Sequence, residues 1–446
     1  MNISRYLGAD NRTIKARKNI IASFFLKGVD LLVYLFLVPI TLGYLNPYEY
    51  GVWLTLNSIL MWINSFDIGL GNGMRNKLAA AMANNDKEKG RIYVSTTFFM
   101  LIAVMGCLIV IGLLFSPYIN WYGILGTDIH HISNLNEIVL VSFVLCCINF
   151  IFRFIGNVYQ ALQMPAVSSL ITVAGHLLSL IVISILTVLT QGSLFLVALA
   201  YTCSPVIIYL IAYPVTFHRI YTFLKPSLRM FRKKYLKDLF SIGVEFFLLQ
   251  LSGILLFSIA NILISHMFGP DKVTPYNIAY RYFSLIPIGM NLILAPMWSA
   301  TTDAYHKGDI DWIKRSMSYI KKCLYAVYAV LFLMVVASPI VYRIWVGTDV
   351  NISFQISALM AVYIAILQTS LAYSNFLNGL GKLRIQTINT LIVAAISCPL
   401  FWVLGRNFNV PGLLMGMCIV NLPGLIFNII QFKKVMSFRA EGIWDK

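Results

Sequence analysis

The stretch HRIYTFLKPSLRMFRKKYLKDLF, residues 218–240, decides how this chain folds. It carries seven of the 34 Lys and Arg residues, lies near the middle of the 446 residues, and has long apolar segments on both sides. A stretch this basic cannot lie in a bilayer, because each Lys or Arg at the centre of a membrane helix costs about 2.5 to 3.5 kcal/mol. It therefore predicts a connection outside the membrane that divides the chain into two halves.

The composition outside this stretch is that of a membrane protein. Hydrophobic residues make up 59% of the chain and charged residues only 11%, whereas soluble domains carry about 25% charged residues. Apolar segments of about 20 residues are long enough to cross a bilayer as helices. The first eighteen residues are polar and basic without a small-residue cleavage site, so we expect no removable signal peptide. We predict an all-α polytopic membrane protein.

Twelve apolar segments follow one another along the chain, six on each side of the basic stretch. A segment this long and apolar is typical of a transmembrane helix. The predicted spans are 19–43, 48–68, 92–116, 136–158, 167–190, 193–215, 239–268, 276–299, 322–340, 353–376, 386–405 and 411–431.

The distribution of positive charge predicts the orientation. When the chain is threaded through the twelve spans from a cytoplasmic N-terminus, only Lys272, Arg343 and Arg406 fall on the opposite side, and Lys27 and Arg281 fall within spans. All other Lys and Arg residues count toward the cytoplasmic side, including Arg153 close to the inner end of the fourth span, as the positive-inside rule requires. We therefore expect both termini in the cytoplasm. The net charge of +17 is explained by this asymmetry, so no nucleic-acid partner is expected.

Short segments recur in the two halves. PYEYGVW from Pro47 opens the second span and PYNIAYR from Pro275 opens the eighth, while NVYQALQMP from Asn157 is matched by NFLNGLGKL from Asn375. Because each half holds an even number of spans, the repeats have the same orientation and enclose a substrate path between them. The predicted organisation is an N-terminal lobe at 1–217, a basic cytoplasmic linker at 218–238 and a C-terminal lobe at 239–446.

The end of the second span has an unusual composition. FDIGLGNGMRNKLAAAMANNDKEKG, from residue 66, holds Gly69, Gly71 and Gly73, followed by Arg75 and Lys77. The spacing matches neither a dinucleotide-binding nor a phosphate-loop motif. The glycines would let helices approach closely or bend. The two cations then lie at the inner membrane surface, either as simple anchors or as groups that receive an anionic headgroup.

Two segments resemble a known family. FDIGLGNGMRNKLAAAMANNDKEKGRIYVST and YNIAYRYFSLIPIGMNLILAPMWSATTDAYHKGDIDWIK are similar to the Wzx-type O-antigen flippases of the multidrug/oligosaccharidyl-lipid/polysaccharide (MOP) exporter superfamily. The resemblance implies two six-helix lobes, MATE-like in plan, that alternate between inward-open and outward-open states. It also implies a substrate, an undecaprenyl-pyrophosphate-linked oligosaccharide moved to the outer leaflet of a bacterial inner membrane, and partners in the polysaccharide polymerase and ligase machinery.

Cations within or beside the spans are candidates for binding the pyrophosphate. An ionisable residue inside a span costs several kcal/mol unless it faces a partner or a wet cavity. Arg281 has no acid nearby in the sequence and suits a diphosphate, since guanidinium binds phosphate oxygens in pairs; the alternative is that it reaches outward to the membrane surface. Lys27, Arg75 and Lys77 complete the predicted substrate-binding set. Lys27 shares a helix face with Asp30, so an ion pair between them is an alternative.

Two acids lie in corresponding spans of the two halves. Asp30 is in the first span and Glu245 in the seventh. A carboxyl whose protonation changes between an aqueous and an occluded state can couple transport to H⁺ or Na⁺. The alternative is a carboxyl that is hydrogen-bonded within the helix bundle. Both acids would be the drug and ion sites if the chain were instead a multidrug cation antiporter of the same superfamily.

No motif indicates an enzyme. The chain holds no G-x-S-x-G sequence and no nucleotide-binding motif. His130 and His131 are adjacent but lack further ligands at helical spacing, so we expect a solvated loop rather than a metal site. No cofactor is expected beyond a coupling ion. A non-transporting scaffold for glycan assembly is a further alternative, which the repeat and the charges within spans disfavour.

Overall fold

The computed structural model describes residues 11–63, 70–236, 259–382 and 384–445. Within these ranges the chain forms helices joined by short turns, with no β-strand. Eight of the helices in the described part are long and apolar enough to cross a membrane. The prediction of an all-α polytopic membrane protein is confirmed.

The chain forms two compact units, residues 1–251 and 252–446. The helices of the first unit are α1 (Asn11–Tyr44), α2 (Pro47–Leu60), α3 (Leu70–Ala83), α4 (Lys87–Phe115), α5 (Trp121–Leu125), α6 (Leu135–Ala161), α7 (Pro165–Leu189) and α8 (Leu194–Pro214). Those of the second unit are α9 (Ile259–Phe268), α10 (Pro270–Phe283), α11 (Leu285–His306), α12 (Ile310–Val346), α13 (Phe354–Gly379) and α14 (Arg384–Met436).

Most helices cover their predicted spans, but α1 begins at Asn11 before the predicted 19–43, and α12 begins at Ile310 before the predicted 322–340. Further differences concern the second, eighth, eleventh and twelfth spans. Helix α14 contains both the eleventh and the twelfth predicted spans. Non-helical backbone at Phe408 and Asn409 separates the two spans. The eighth span is built from α10 and α11, which begin and end beyond the predicted limits. Helix α3 begins at Leu70, beyond the predicted end of the second span at residue 68, and residues 64–69 lie outside the described residues. Most of the seventh predicted span, 239–268, lies outside the described residues, so the structure is consistent with twelve spans.

Apolar faces hold the first unit together. Helix α1 packs along α7, α6 and α7 both pack on α8, and α3 packs on α4 and α6. Val33 and Leu37 of α1 are buried against Ile183 of α7. Gly175 of α7 allows close approach to α8, because a Cβ at this position would lie 3.1 Å from the Pro205 Cα atom. Small residues at such crossings are typical of helix packing in membranes.

The predicted basic linker packs against α4. Residues 215–236 form a π turn and three short 3₁₀ turns. The backbone N–H of Ser227 donates to the Ser95 hydroxyl at 3.1 Å, and that of Arg232 donates to the Thr96 hydroxyl at 3.2 Å. These bonds satisfy backbone donors that lie outside regular helix. The described part of the linker is therefore docked on the first unit.

Helix α13 is the central helix of the second unit. It contacts α10, α11, α12 and α14. Phe376 and Leu377 near its end are fully buried, together with Leu294 of α11 and Met317 of α12. The opposite faces of α12 and α14 carry exposed apolar side chains, as expected of helices that face lipid.

Each unit contains a turn of the same kind, and this similarity supports the internal repeat. Before α4, Asn85 has a φ of 56° and the Asp86 side chain accepts from the backbone N–H three residues later. Before α12, Gly308 has a φ of 72° and Asp309 accepts in the same way. Both turns thus end one helix with a left-handed residue and begin the next with an aspartate cap.

Candidate functional site

A hydrogen-bonded chain of three polar side chains lies between α1 and α7. The Asp30 Oδ1 atom lies 2.6 Å from Nδ1 of His176, and Nε2 of His176 lies 3.3 Å from the Tyr34 hydroxyl. The Asp30 and His176 side chains are 29% and 24% exposed, so both are largely buried but remain accessible. The apolar packing of α1 on α7 brings these residues together. The arrangement can accept, hold and release a proton.

Lys27 lies one turn before Asp30 and is exposed. Among the described residues, no ion pair joins Lys27 to Asp30; the carboxylate bonds to His176 instead. The sequence pattern suggests that His176 bonds a neighbouring helix, but it identifies neither Asp30 as its partner nor Tyr34 as a member of the group. Tyr34 follows Asp30 by four positions and so shares its helix face, which is a signal that the sequence offers. The partner 146 residues away has no such signal.

Arg75 of α3 is held in place by a hydrogen bond to α6. Its Nη1 atom donates to Gln160 Oε1 of α6 at 3.0 Å, and the Gln160 Nε2 atom donates to the Ser168 hydroxyl at 3.3 Å. The Arg75 side chain is exposed, whereas Lys77 is half-buried. A guanidinium has five N–H donors, so one bond to Gln160 leaves others that can bind an anion. Gln160 was not among the predicted site residues.

The glycines near Arg75 are placed by α3. Gly71 and Gly73 are buried on this helix, which packs on α4 and α6. Their role as a packing or hinge element stays a prediction. Gly69 lies outside the described residues, and so does Glu245, the predicted acid of the seventh span.

Arg281 lies deeper along its helix than the predicted span boundary at residue 276 implies. It is half-buried in the last turn of α10, which begins at Pro270. Lys272 and Asp271 form an exposed ion pair at 3.0 Å near the start of this helix. At about 1.5 Å rise per residue, Arg281 lies roughly 14 Å beyond Lys272 along the helix. This distance is too long for the guanidinium to reach the same surface easily.

The two adjacent histidines lie in a loop outside the spans. The Asp128 carboxylate accepts from the His131 side chain at 2.9 Å and from the backbone N–H groups of His130 and His131. The bond to the His131 side chain, followed by the one to its backbone N–H, lowers the pKa of Asp128. His131 also packs against the ring of Tyr48. Within the described ranges no cluster of three potential metal ligands occurs.

The comparisons with known proteins place the chain in a family. A family model described as a polysaccharide biosynthesis protein matches residues 16–302. A protein of Yersinia pseudotuberculosis named for O-antigen export is 24% identical over 402 residues, which cover 87% of this chain and 89% of that protein. A protein of Salmonella typhi named for O-antigen transport is 22% identical over 415 residues, 91% of each chain. These findings confirm the resemblance that the two sequence segments indicate.

Solved structures show the same fold. The inward-facing structure of a multidrug resistance MATE family transporter of the MOP superfamily superposes with a TM-score of 0.79, at 17% identity, over 94% of this chain and 98% of that one. The outward-facing structure of such a transporter gives a TM-score of 0.66, at 19% identity, over 95% and 96% of the two chains. The chain therefore belongs to the polysaccharide biosynthesis protein family, and it is a multi-pass membrane protein with the fold of the MOP superfamily transporters.

Proposed function

We propose that this protein is a flippase that moves undecaprenyl-pyrophosphate-linked oligosaccharide, a repeat unit of O-antigen or another surface polysaccharide, from the cytoplasmic to the periplasmic leaflet. The observation that carries the proposal is the family match over residues 16–302, together with O-antigen relatives that align with about nine-tenths of the chain. Transport by alternating access between two lobes follows from the predicted parallel repeat. The protein resides in the bacterial inner membrane with both termini in the cytoplasm.

The pyrophosphate is bound by cationic side chains. Arg75 supports this role, since Gln160 fixes one of its donors and the rest of the exposed guanidinium is available. Arg281 also supports it, because its depth along α10 separates it from the exposed Lys272 end of that helix. Guanidinium binds phosphate oxygens through paired charge-assisted hydrogen bonds. Lys27 and Lys77 add positive charge for the approaching headgroup.

Transport is coupled to an ion through the Asp30–His176 pair. Hard metal cations bind through several oxygen ligands, whereas imidazole and carboxyl groups are the side chains that most often transfer protons in proteins. The 2.6 Å contact therefore favours H⁺ over Na⁺ as the coupling ion. Glu245 is proposed as the corresponding acid of the second lobe.

The protein acts as a transporter and not as an enzyme. Polysaccharide polymerase and ligase enzymes are the proposed consumers of the translocated lipid, because a repeat unit delivered to the periplasmic leaflet must be joined to others there. The lipid bilayer is the second partner, since the polyprenyl tail stays in hydrocarbon while the headgroup crosses.

A multidrug cation antiporter is the second candidate function. The observation that favours it is the fold, which the chain shares with multidrug resistance MATE transporters at a TM-score of 0.79. In that case Asp30 would bind a cationic drug, and the cations at Arg75 and Arg281 would serve no substrate. The two functions differ in the sign of the charge that the protein carries across the membrane.

Reconstitution in proteoliposomes tests the choice between them. Lipid-linked oligosaccharide purified from the bacterium that makes this protein is placed in the inner leaflet, and its appearance outside is followed with an impermeant lectin. A cationic dye is offered to parallel vesicles. The proposal expects glycan transport by the wild type, loss in Arg281→Ala and retention in Arg343→Ala, an exposed arginine near the end of α12. Dye transport without glycan transport would overturn it.

A further inference from the structure

The second unit contains a polar cavity between α13 and the two segments of α14 that precede and follow the interruption at Phe408 and Asn409. Its volume is about 190 Å³. Its walls are formed almost entirely by neutral amide and hydroxyl side chains, and no charged residue contributes to them. The polar lining residues are Ser370, Ser374, Gln386, Asn389, Thr390, Asn421 and Asn428. A concentration of neutral polar groups in an otherwise apolar helix bundle is costly unless each group finds a partner.

Several of these side chains are held by bonds that leave an oxygen atom available. The Asn421 Nδ2 atom donates to the Met417 carbonyl at 2.8 Å, and the Asn428 Nδ2 atom donates to the Ser370 hydroxyl at 3.0 Å. Each bond uses one of the two amide N–H groups and fixes the amide plane, and the amide oxygen remains as an acceptor. The cavity therefore presents oriented acceptors on a rigid helical frame.

Donors are present at the same wall. Gln386 lines the cavity, and its Nε2 atom is buried without an acceptor among the described residues. A buried amide donor left unpaired costs about 1 to 3 kcal/mol. A ligand oxygen would recover this free energy once the side chain turned toward it. Asn389, against which Gly424 packs closely, brings a second amide to the wall.

The chemistry of the lining selects a class of ligand. A bound cation needs a compact set of oxygen acceptors, commonly with a carboxylate, and no carboxylate lines this cavity. An aliphatic chain would leave the amides and hydroxyls without partners. A sugar ring carries several hydroxyl groups, each of which both donates and accepts, and these match mixed amide and hydroxyl walls.

We propose that this cavity binds one sugar ring of the transported glycan through its hydroxyl groups. The inference rests on the proposed function, because it assigns a part of the lipid-linked oligosaccharide to a site in the second unit. The neutral walls suit a cargo that must be released after transport, since neutral hydrogen bonds are weaker than charge-assisted ones. The pyrophosphate is held by cations elsewhere.

The position of the cavity agrees with loading from the cytoplasm. It lies near the C-terminal end of α13 and the N-terminal end of α14, which are joined by the turn that contains the basic residue Lys382. Ser370 is nine positions before the end of α13 at Gly379, or roughly 14 Å along the helix. By the positive-inside prediction this is the cytoplasmic half of the bilayer, where the oligosaccharide is presented.

A binding experiment separates the sugar contribution from that of the lipid. Native mass spectrometry measures the affinity of detergent-purified protein for undecaprenyl-pyrophosphate-linked oligosaccharide and for undecaprenyl pyrophosphate without sugar. The variants are Asn421→Leu and Asn389→Leu. The matched control is Asn407→Leu, because Asn407 lies on α14 and bonds to the carbonyl four residues back, as Asn421 does, but is exposed outside the cavity. Gly424→Ala is a fourth variant, whose Cβ would lie 2.7 Å from Asn389 Nδ2 and displace that side chain.

The expected result is a loss confined to the glycan-bearing lipid. Asn421→Leu, Asn389→Leu and Gly424→Ala each lower its affinity about threefold to tenfold, the effect of one hydrogen bond, while affinity for undecaprenyl pyrophosphate and the behaviour of Asn407→Leu stay as in the wild type. If the wild type prefers the glycan-bearing lipid and all three cavity variants keep that preference, the sugar site is wrong and the flippase stands. If the wild type binds neither lipid, the proposed function itself fails.

Discussion

Asp30 and His176 are joined by a hydrogen bond of 2.6 Å that links α1 to α7 within the first unit. The two residues come from the first and fifth predicted spans, and Tyr34 extends the chain on the far side of the imidazole. Movement of α1 relative to α7 would change this contact directly. Under the proposed function, this pair is where protonation and helix position would influence each other.

We expect Asp30→Asn to uncouple transport from the proton gradient. Asparagine can still bond to His176 but carries no charge and takes up no proton, so packing is kept while the titrating group is lost. Glycan transport driven by a pH gradient in proteoliposomes should fall at least tenfold. Asp271→Asn is the matched control, since Asp271 makes only an exposed ion pair with Lys272.

A sodium gradient provides the opposing measurement for the same variants. Wild-type transport that responds to Na⁺ and ignores pH would contradict proton coupling through this pair. Full pH-driven transport by Asp30→Asn would exclude Asp30 as the coupling group and direct attention to Glu245.

Arg75→Ala should weaken binding of undecaprenyl pyrophosphate about tenfold to a hundredfold, because a hydrogen bond to a charged group contributes about 1.5 to 3 kcal/mol. Gln160→Leu should have a smaller effect, since it frees the guanidinium of its 3.0 Å contact without removing the charge. Titration of the lipid by native mass spectrometry checks both. Arg229→Ala, an exposed arginine of the linker, should bind as the wild type does; equal losses in Arg75→Ala and Arg229→Ala would indicate a diffuse charge effect only.

The repeated turns predict paired effects on stability. Asp86→Ala and Asp309→Ala each remove a helix cap and should lower the free energy of unfolding by about 1 kcal/mol. Gly308→Ala should cost about 1 kcal/mol or more through its φ of 72°, because a Cβ there meets no atom within 4 Å and only backbone strain remains. Gly308→Asn should cost less, since Asn85 adopts the same conformation. Thermal unfolding in detergent gives the order; a Gly308→Asn protein as unstable as Gly308→Ala would refute the equivalence of the turns.

Docking of the linker on α4 should depend on two hydroxyl groups. Ser95→Ala and Thr96→Val remove the acceptors of Ser227 and Arg232, and each leaves a backbone donor without its partner. Because such a hydrogen bond contributes about 0.5 to 1.5 kcal/mol, tryptic cleavage within the linker should accelerate about twofold to tenfold.

The neighbouring hydroxyl is the control for that experiment. Thr97 is buried, and its Oγ1 has no hydrogen-bond partner among the described residues. Thr97→Val should therefore leave the cleavage rate unchanged. Cleavage accelerated equally by Thr97→Val would show that general disturbance of α4, and not loss of the two acceptors, releases the linker.

Much of the fold follows from the sequence because it depends on local sums. The hydropathy of about 20 consecutive residues decides whether a segment is a membrane helix, and described helices such as α4, α6, α7 and α13 lie within a few residues of their predicted spans. The aspartate caps are equally local, since Asp86 and Asp309 each precede an apolar helix. Where a helix extends beyond its apolar segment, as α12 does by beginning at Ile310 before the predicted span at 322–340, hydropathy alone misplaces its end.

The candidate sites were only half predictable. Asp30, Arg75 and Arg281 stand out because a charge is conspicuous in an apolar chain. Their partners do not, since His176 and Gln160 lie 146 and 85 positions away. Ser370 and Ser374, and likewise Gln386 and Thr390, are four positions apart and share a helix face, but nothing in one sequence shows that these faces meet.

The sequence by itself determined the class of protein, the placement of its apolar segments and the asymmetry of its positive charge, because each of these is a property of contiguous residues in contact with lipid or water. Only the packed structure shows that Asp30 bonds to His176, that Gln160 holds Arg75, and that hydroxyl groups of α13 and amides of α14 line one polar cavity. The physical reason is that the rotation of each helix about its axis is fixed by packing against its neighbours, which brings together residues far apart in the chain.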